Sequence, residues 1–207
     1  YYEYVLCYVD DVLASSVNPQ AVMDSLSNTF TLKDGMVKEP DLYLGADVTK
    51  WYIEGSDNPG KARWAMSSTK YTKKAIEEVE RELREANLKL PTKVTTPLSS
   101  GYRPEIDATP ELDANRQNYY QGLIGVLCWI CELGQINILT PISMLSRYLV
   151  SARRGHLEQV FHVFGYLKHH EWLTMVFDDT EPSFDSSELK ECNWSKFYPD
   201  PEEAIPM

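Results

Sequence analysis

Tyr4-Val5-Leu6-Cys7-Tyr8-Val9-Asp10-Asp11-Val12-Leu13-Ala14 is the stretch around which the chain is organised. An apolar run rich in β-branched and aromatic residues meets two adjacent carboxylates and then resumes, the pattern of a short β-hairpin with an acidic tip. Alternation sets Tyr4, Leu6 and Tyr8 on one face and Val5, Cys7 and Val9 on the other. Both flanks read as buried. Two carboxylates at the end of buried strands repel each other and resist desolvation, so an offsetting charge is expected beside them. Mg²⁺ answers that need: it binds one or two carboxylates while keeping water and substrate phosphate oxygens, and paired metals drive in-line attack at phosphorus. The plainer alternative is that Asp10-Asp11 is only a turn, a setting that Asp favours.

The remaining chain sets bounds on this. Its 207 residues suit one domain or two small ones, and 43% apolar content is ordinary for a globular protein. No 18-residue apolar run exists; the best stretch, 123–133, is too short and contains Glu132, so no membrane partner is expected. The chain opens mid-strand without a methionine and closes on a polar, proline-bearing stretch, as a fragment would. Four cysteines (Cys7, Cys128, Cys131, Cys192) make no disulfide framework at this length, and Cys128-x-x-Cys131 lies inside an apolar helical pattern, where core packing is expected. The net charge of −11 argues against nucleic-acid binding over the whole surface. Residues 178–207 hold nine acidic residues and two lysines, so the other 177 residues carry only −4.

Along the chain, Asn18-Pro19 starts a helix with Val22, Leu26 and Phe30 as its buried stripe. Residues 31–39 read as strand-like or irregular. Residues 42–48 and 63–66 read as two strands joined by the turn-rich 55–60. A long helix follows from Ser67 or Ser68 to about residue 87, with Tyr71, Ala75, Ile76, Val79 and Leu83 inward and the pairs Glu77–Arg81 and Glu80–Arg84 outward. Residues 88–114, rich in proline and threonine, read as an extended connection wrapping across the helices. Further helices are expected from Asn118, over 141–150 and over 156–169. Gly122 and Gly125 would let another element approach the first of these closely. Lys70, Lys73 and Lys74, and a cluster of Arg147, Arg153, Arg154, Lys168, His169 and His170, are candidate phosphate contacts, with solvated helix surface as the alternative. A zinc site of His162, His169 and His170 lacks any cysteine at a fitting spacing. The acidic tail with Phe184, Trp194, Phe197 and Tyr198 reads as a linker that could dock through those rings, and the sequon Asn193-Trp194-Ser195 as chance.

Tyr8-Val9-Asp10-Asp11 matches the tyrosine-x-aspartate-aspartate motif of reverse transcriptases, and the chain resembles the copia-type LTR retrotransposon polyprotein. Further landmarks keep the family's order: Phe30-x-Leu32-Lys33-Asp34 with Tyr43-Leu44-Gly45, Thr95-Thr96-Pro97-Leu98, Tyr120-Gln121-Gly122-Leu123-Ile124-Gly125, Met144-Leu145-Ser146-Arg147 and Tyr166-Leu167-Lys168. Departures occur as well. The family's Leu-Gly after the Asp is Gly35-Met36 here, its Arg is Gln121, and its Arg-Pro-Asp-Ile is replaced by residues 134–138. The resemblance implies an α+β fold: an antiparallel palm-sheet remnant with the catalytic hairpin (1–67), a mostly helical thumb-like region (68–177), and an acidic linker (178–207) toward an RNase H domain. It implies nucleotidyl transfer, in which a primer 3′-hydroxyl attacks the α-phosphorus of a dNTP on an RNA or DNA template. Asp10 and Asp11 would be the catalytic metal ligands for Mg²⁺, or Mn²⁺ in its place. Tyr8 would pack near the primer terminus, Val9 would affect the incoming nucleotide, and Leu44-Gly45 would lie in the element gripping the primer. The family's other metal-binding aspartate and its fingers lie upstream, so these residues alone are expected not to polymerise. The implied location is the cytoplasm, within a virus-like particle, or the nucleus. Two other readings remain: a non-catalytic nucleic-acid or protein interaction module, and a different metal-dependent phosphotransferase or nuclease needing a third carboxylate from Asp34 or Asp47.

Overall fold

The computed structural model describes residues 3–32, 37–52 and 62–177. Within them the fold is α+β, with two antiparallel sheets and a helical body. The first sheet is the hairpin: β1 (Tyr4–Tyr8) pairs with β2 (Asp11–Ser15), Tyr8 opposite Asp11. Every residue of β1 is exposed and β2 is at most half-buried, which corrects the expectation of buried flanks. A two-stranded ribbon has no second layer over its faces, so apolar strand residues stay open to solvent.

α1 (Pro19–Ser27) begins where expected: the Asn18 side chain accepts the Ala21 amide at 3.3 Å, with Pro19 in the first turn. Its stripe is only partly met. Val22 and Leu26 are half-buried, but the helix ends before Phe30, which is exposed. The segment read as one strand over 42–48 is in fact a hairpin: β3 (Leu42–Tyr43), a Leu44-Gly45 turn, and β4 (Ala46–Tyr52). Two successive positive φ values, 54° and 92°, give the turn whose twist suits antiparallel strands. β5 (Ala62–Ser67) pairs with β4; the 55–60 turn between them lies outside the described residues.

α2 (Thr69–Glu85) buries Thr72, Ile76, Val79 and Leu83, so the stripe is met with Thr72 added. Glu80 pairs with Lys168 rather than Arg84. α3 (Ala114–Glu132) starts four residues earlier than expected, where the Asp113 carboxylate accepts the Arg116 amide at 2.9 Å. α4 (Leu139–Ser146) and α5 (Arg154–Leu167) follow, and β6 (Thr174–Phe177) returns to β5, closing a sheet of order β3-β4-β5-β6. The core lies among the helices, with Tyr120, Leu127, Ile130, Val160, Phe164 and Leu167 at zero exposure. Cys131 is buried there while Cys128 is exposed, so core packing holds for one thiol of the pair.

The 88–113 connection does wrap the helices, along α5. Nε2 of His169, His162 and His156 meets the carbonyls of Thr92, Thr96 and Pro104 at 3.2, 3.0 and 3.1 Å, and Gln159 accepts the Ser99 amide. Two glycines let the connection come close: a Cβ on Gly165 would sit 2.6 Å from the Pro91 carbonyl oxygen, and one on Gly155 1.9 Å from Asp107 Oδ2. Gly122 and Gly125, expected to be the close-approach positions, face open space, because the α3 face that carries them lies opposite its buried stripe. Residues 178–207 lie outside the described residues, and with them the linker, the aromatic docking and the sequon.

Candidate functional site

Two residues, Val9 and Asp10, connect β1 to β2. Val9 has φ 55° and Asp10 does not share the positive value, a turn that ordinarily places glycine at its first position. A β-branched residue there is a conformational outlier costing on the order of 1–3 kcal/mol. The Val9 side chain is 93% exposed, so no packing compensates; the strand pairing on either side holds the strained turn. The turn sets Asp10 in the loop and Asp11 at the start of β2, on the same face as Tyr8. Both carboxylates are exposed.

No cation among the described residues pairs with Asp10 or Asp11, so within those residues the expected offsetting charge is not supplied. Nor do the described residues contain any group of three or more His, Cys, Asp or Glu side chains able to hold an ion. Asp47, one candidate third carboxylate, is engaged by Lys70 at 2.6 Å; the other, Asp34, lies outside the described residues. Two adjacent, open, unpaired carboxylates fit an ion that takes one or two protein ligands and keeps its remaining water. They do not make a closed protein cage.

The second hairpin rests against the helices. Burial pushes the Tyr43 hydroxyl up, and the electrostatic influence of Asp11 and Cys7 adds to the rise. The tip after it turns inward. Gly45 lies against Tyr71 of α2 and Leu133 just past α3, with a Cβ position 3.7 and 3.9 Å from their side chains. Leu44 and Gly45 are thus half-buried parts of a supported turn. Of the six candidate residues, Tyr8, Val9, Asp10 and Asp11 form one tip, and Leu44 and Gly45 form a second.

Sequence reasoning missed Trp129. Its ring packs against Tyr8 with centroids 5.9 Å apart and planes tilted 44°. The signal was present, since a tryptophan off the buried stripe of α3 needs a partner elsewhere.

The basic candidates are largely consumed by internal contacts. Lys73 meets Glu171 at 3.2 Å, and Arg154 meets Glu158 at 3.0 Å. Arg153 donates to the Thr109 carbonyl and meets Glu111 at 3.1 Å. His162, His169 and His170 each address a backbone carbonyl, which accounts for them without zinc.

No family model and no solved structure matches the chain. A Saccharomyces cerevisiae protein ascribed to the transposon Ty5-1 is 29% identical over 168 residues, covering 79% of this chain and 48% of the relative. The chain therefore spans about half the length of that curated relative. The similarity connects it with proteins of transposable elements.

Proposed function

We propose that the chain is the C-terminal part of a retrotransposon reverse transcriptase of copia type, an RNA-directed DNA polymerase, with Asp10 and Asp11 as its carboxylate pair for Mg²⁺. The observation that carries the reading is the strained two-residue turn: it spends conformational energy at an exposed valine to present two unpaired carboxylates at a tip. Backbone strain of this kind collects at functional sites, where its cost has a use. The similarity to a transposon protein supports the same reading.

In this reading Asp10 is the direct metal ligand, and Asp11 adds charge and a second contact. Bound magnesium would lower the pKa of the primer 3′-hydroxyl and neutralise charge on the departing pyrophosphate. Tyr8 would pack near the primer terminus, Val9 would affect the incoming dNTP, and Leu44-Gly45 would belong to the element that grips the primer. The division into palm (1–67), thumb-like helices (68–177) and linker (178–207) belongs to this proposal. So do its partners: a primed RNA or DNA template, dNTP, the upstream fingers and palm, and a downstream RNase H. Two carboxylates are too few for the complete metal site, so these 207 residues alone should not extend a primer.

The deciding experiment joins the upstream region of the parent polyprotein to this chain and measures magnesium-dependent primer extension with and without Asp10→Asn. Loss of extension by a factor of 100 or more (on the order of 3 kcal/mol of transition-state stabilisation) supports the assignment. An unchanged rate removes Asp10 from the chemistry. Salt-sensitive binding to primer–template that ignores magnesium, without extension, would favour the non-catalytic module.

A further inference from the structure

The hairpin that carries the acidic pair cannot hold itself in place. β1 is exposed throughout and β2 only half-buried, and an isolated two-stranded ribbon is marginal in water. Its turn is strained as well. Something must seat it if Asp10 and Asp11 are to have one position. One contact at that end of the hairpin comes from α3, whose Trp129 ring lies against Tyr8, the residue directly opposite Asp11 in the strand register. Four residues later, one turn along the same side, Leu133 lies against Gly45 in the second hairpin. The last turn of α3 and the residue that caps it therefore reach one hairpin each. Other residues of the helix, Leu123, Leu127 and Ile130, anchor it in the core.

We infer that Trp129 is a positioning residue for the Asp10–Asp11 pair: its ring seats Tyr8, and α3 fixes the acidic tip against the Leu44-Gly45 turn through Trp129 and Leu133. The inference rests on the proposed role of the acidic pair for its purpose, but its physical content is the seating itself. Trp129 touches neither carboxylate. It acts through Tyr8, and any aromatic ring able to reach Tyr8 should replace it.

The full 207-residue chain serves as the test, with Trp129→Ala, Trp129→Phe, Tyr8→Ala and the double variant Tyr8→Ala/Trp129→Ala. Amide exchange over residues 4–15 is followed by mass spectrometry, and Mn²⁺ affinity by electron paramagnetic resonance. An aromatic pair of this kind should slow local opening by about three- to tenfold. Trp129→Ala should therefore speed hairpin exchange by that factor and weaken the Asp10-dependent Mn²⁺ affinity in parallel. Trp129→Phe should restore both, and the double variant should be no faster than either single one. Unchanged hairpin exchange in Trp129→Ala, full additivity in the double variant, or a loosened hairpin with unaltered Mn²⁺ affinity would each overturn the inference. If exchange in α5 also rises, Trp129→Ala has damaged the core, and Tyr8→Ala, at an exposed residue, decides instead with Trp129→Phe. If the unaltered chain binds Mn²⁺ no better than Asp10→Asn, the magnesium reading fails while the exchange data still judge the seating.

Discussion

The four glycines in α3 and α5 give the structure a test in which two pairs of identical substitutions should have opposite signs. Gly→Ala in a helix ordinarily gains up to about 1 kcal/mol, because alanine loses less backbone freedom on folding. Gly122 and Gly125 meet nothing within 4 Å of an added Cβ, so Gly122→Ala and Gly125→Ala should each stabilise by about 0.5–1 kcal/mol. At Gly155 the added carbon would lie 1.9 Å from Asp107 Oδ2 and 2.8 Å from its Cγ. That carboxylate is not free to swing away. It accepts the Tyr102 hydroxyl at 2.6 Å, the Thr109 amide at 2.8 Å and the Thr109 hydroxyl. Displacing it weakens hydrogen bonds to a charged acceptor worth about 1.5–3 kcal/mol each. The helix gain at Gly155, in the first turn, is smaller than in a helix interior. Gly155→Ala should thus cost about 2–3 kcal/mol. Gly165→Ala faces the Pro91 carbonyl at 2.6 Å and must push the connection off α5, a cost of about 1–2 kcal/mol after the helix gain. Melting followed by far-ultraviolet circular dichroism reads these as shifts of about 2–4 °C per kcal/mol in a chain of this size. In an Asp107→Ala background, Gly155→Ala should lose most of its penalty, since the blocking carboxylate is gone. A Gly155→Ala protein at least as stable as the parent would refute the packing described for the connection, and so would destabilisation by Gly122→Ala.

The same junction should shape the pH dependence. Burial alone would raise the Asp107 carboxyl, but hydrogen bonds from Thr109 and Tyr102, with His156 nearby, outweigh it and hold the group below its ordinary value of 3.8. Its stabilisation is therefore complete above about pH 3.9 and fades as pH falls through the lower folded value. Tyr102 is the converse: burial first, then the hydrogen bond to Asp107, push its hydroxyl far up. Its contribution is complete below about pH 10 and is lost as pH climbs toward the raised value. Melting temperature against pH should show a shallower acid limb for Asp107→Asn and a shallower alkaline limb for Tyr102→Phe; limbs as steep as the parent's would contradict these roles. The thiols provide a check on the core. Burial, with help from Cys128 and Glu132, pushes the Cys131 thiol up to about 12, and burial and Glu132 also raise exposed Cys128. In a Cys192→Ser background, maleimide at neutral pH should modify exposed Cys7 first, Cys128 more slowly, and Cys131 only on unfolding. Early modification of Cys131 would place α3 wrongly.

What the sequence made legible follows from how far each signal reaches. The Asn18-Pro19 start, the stripe through Ile76, Val79 and Leu83, and the hairpin around Asp10-Asp11 are written within a few residues of where they act, and the structure contains all three. The misreadings share one physical cause: an apolar or small residue declares a preference, but not the partner that would satisfy it. Tyr4, Leu6 and Phe30 look like core residues and are exposed, because burial needs a facing layer that no local pattern can announce. Gly122 and Gly125 have the spacing for a close approach, yet nothing approaches; Gly155 and Gly165, which carried no comparable signal, are where the connection presses down. The Leu44-Gly45 turn was hidden for a different reason. Leucine rarely takes a positive φ, so 42–48 reads as one strand until the register between Tyr43 and Ala46 is seen. Val9 belongs to the same class and is the more telling case. At Leu44 the following glycine and the contacts of Gly45 with Tyr71 and Leu133 offset the strain, whereas Val9 stands in solvent with no such support. A turn optimised for stability alone would place glycine at that position. Val9 therefore carries a strain that neither packing nor a following glycine relieves, which is why its positive φ could not be read from the residues around it.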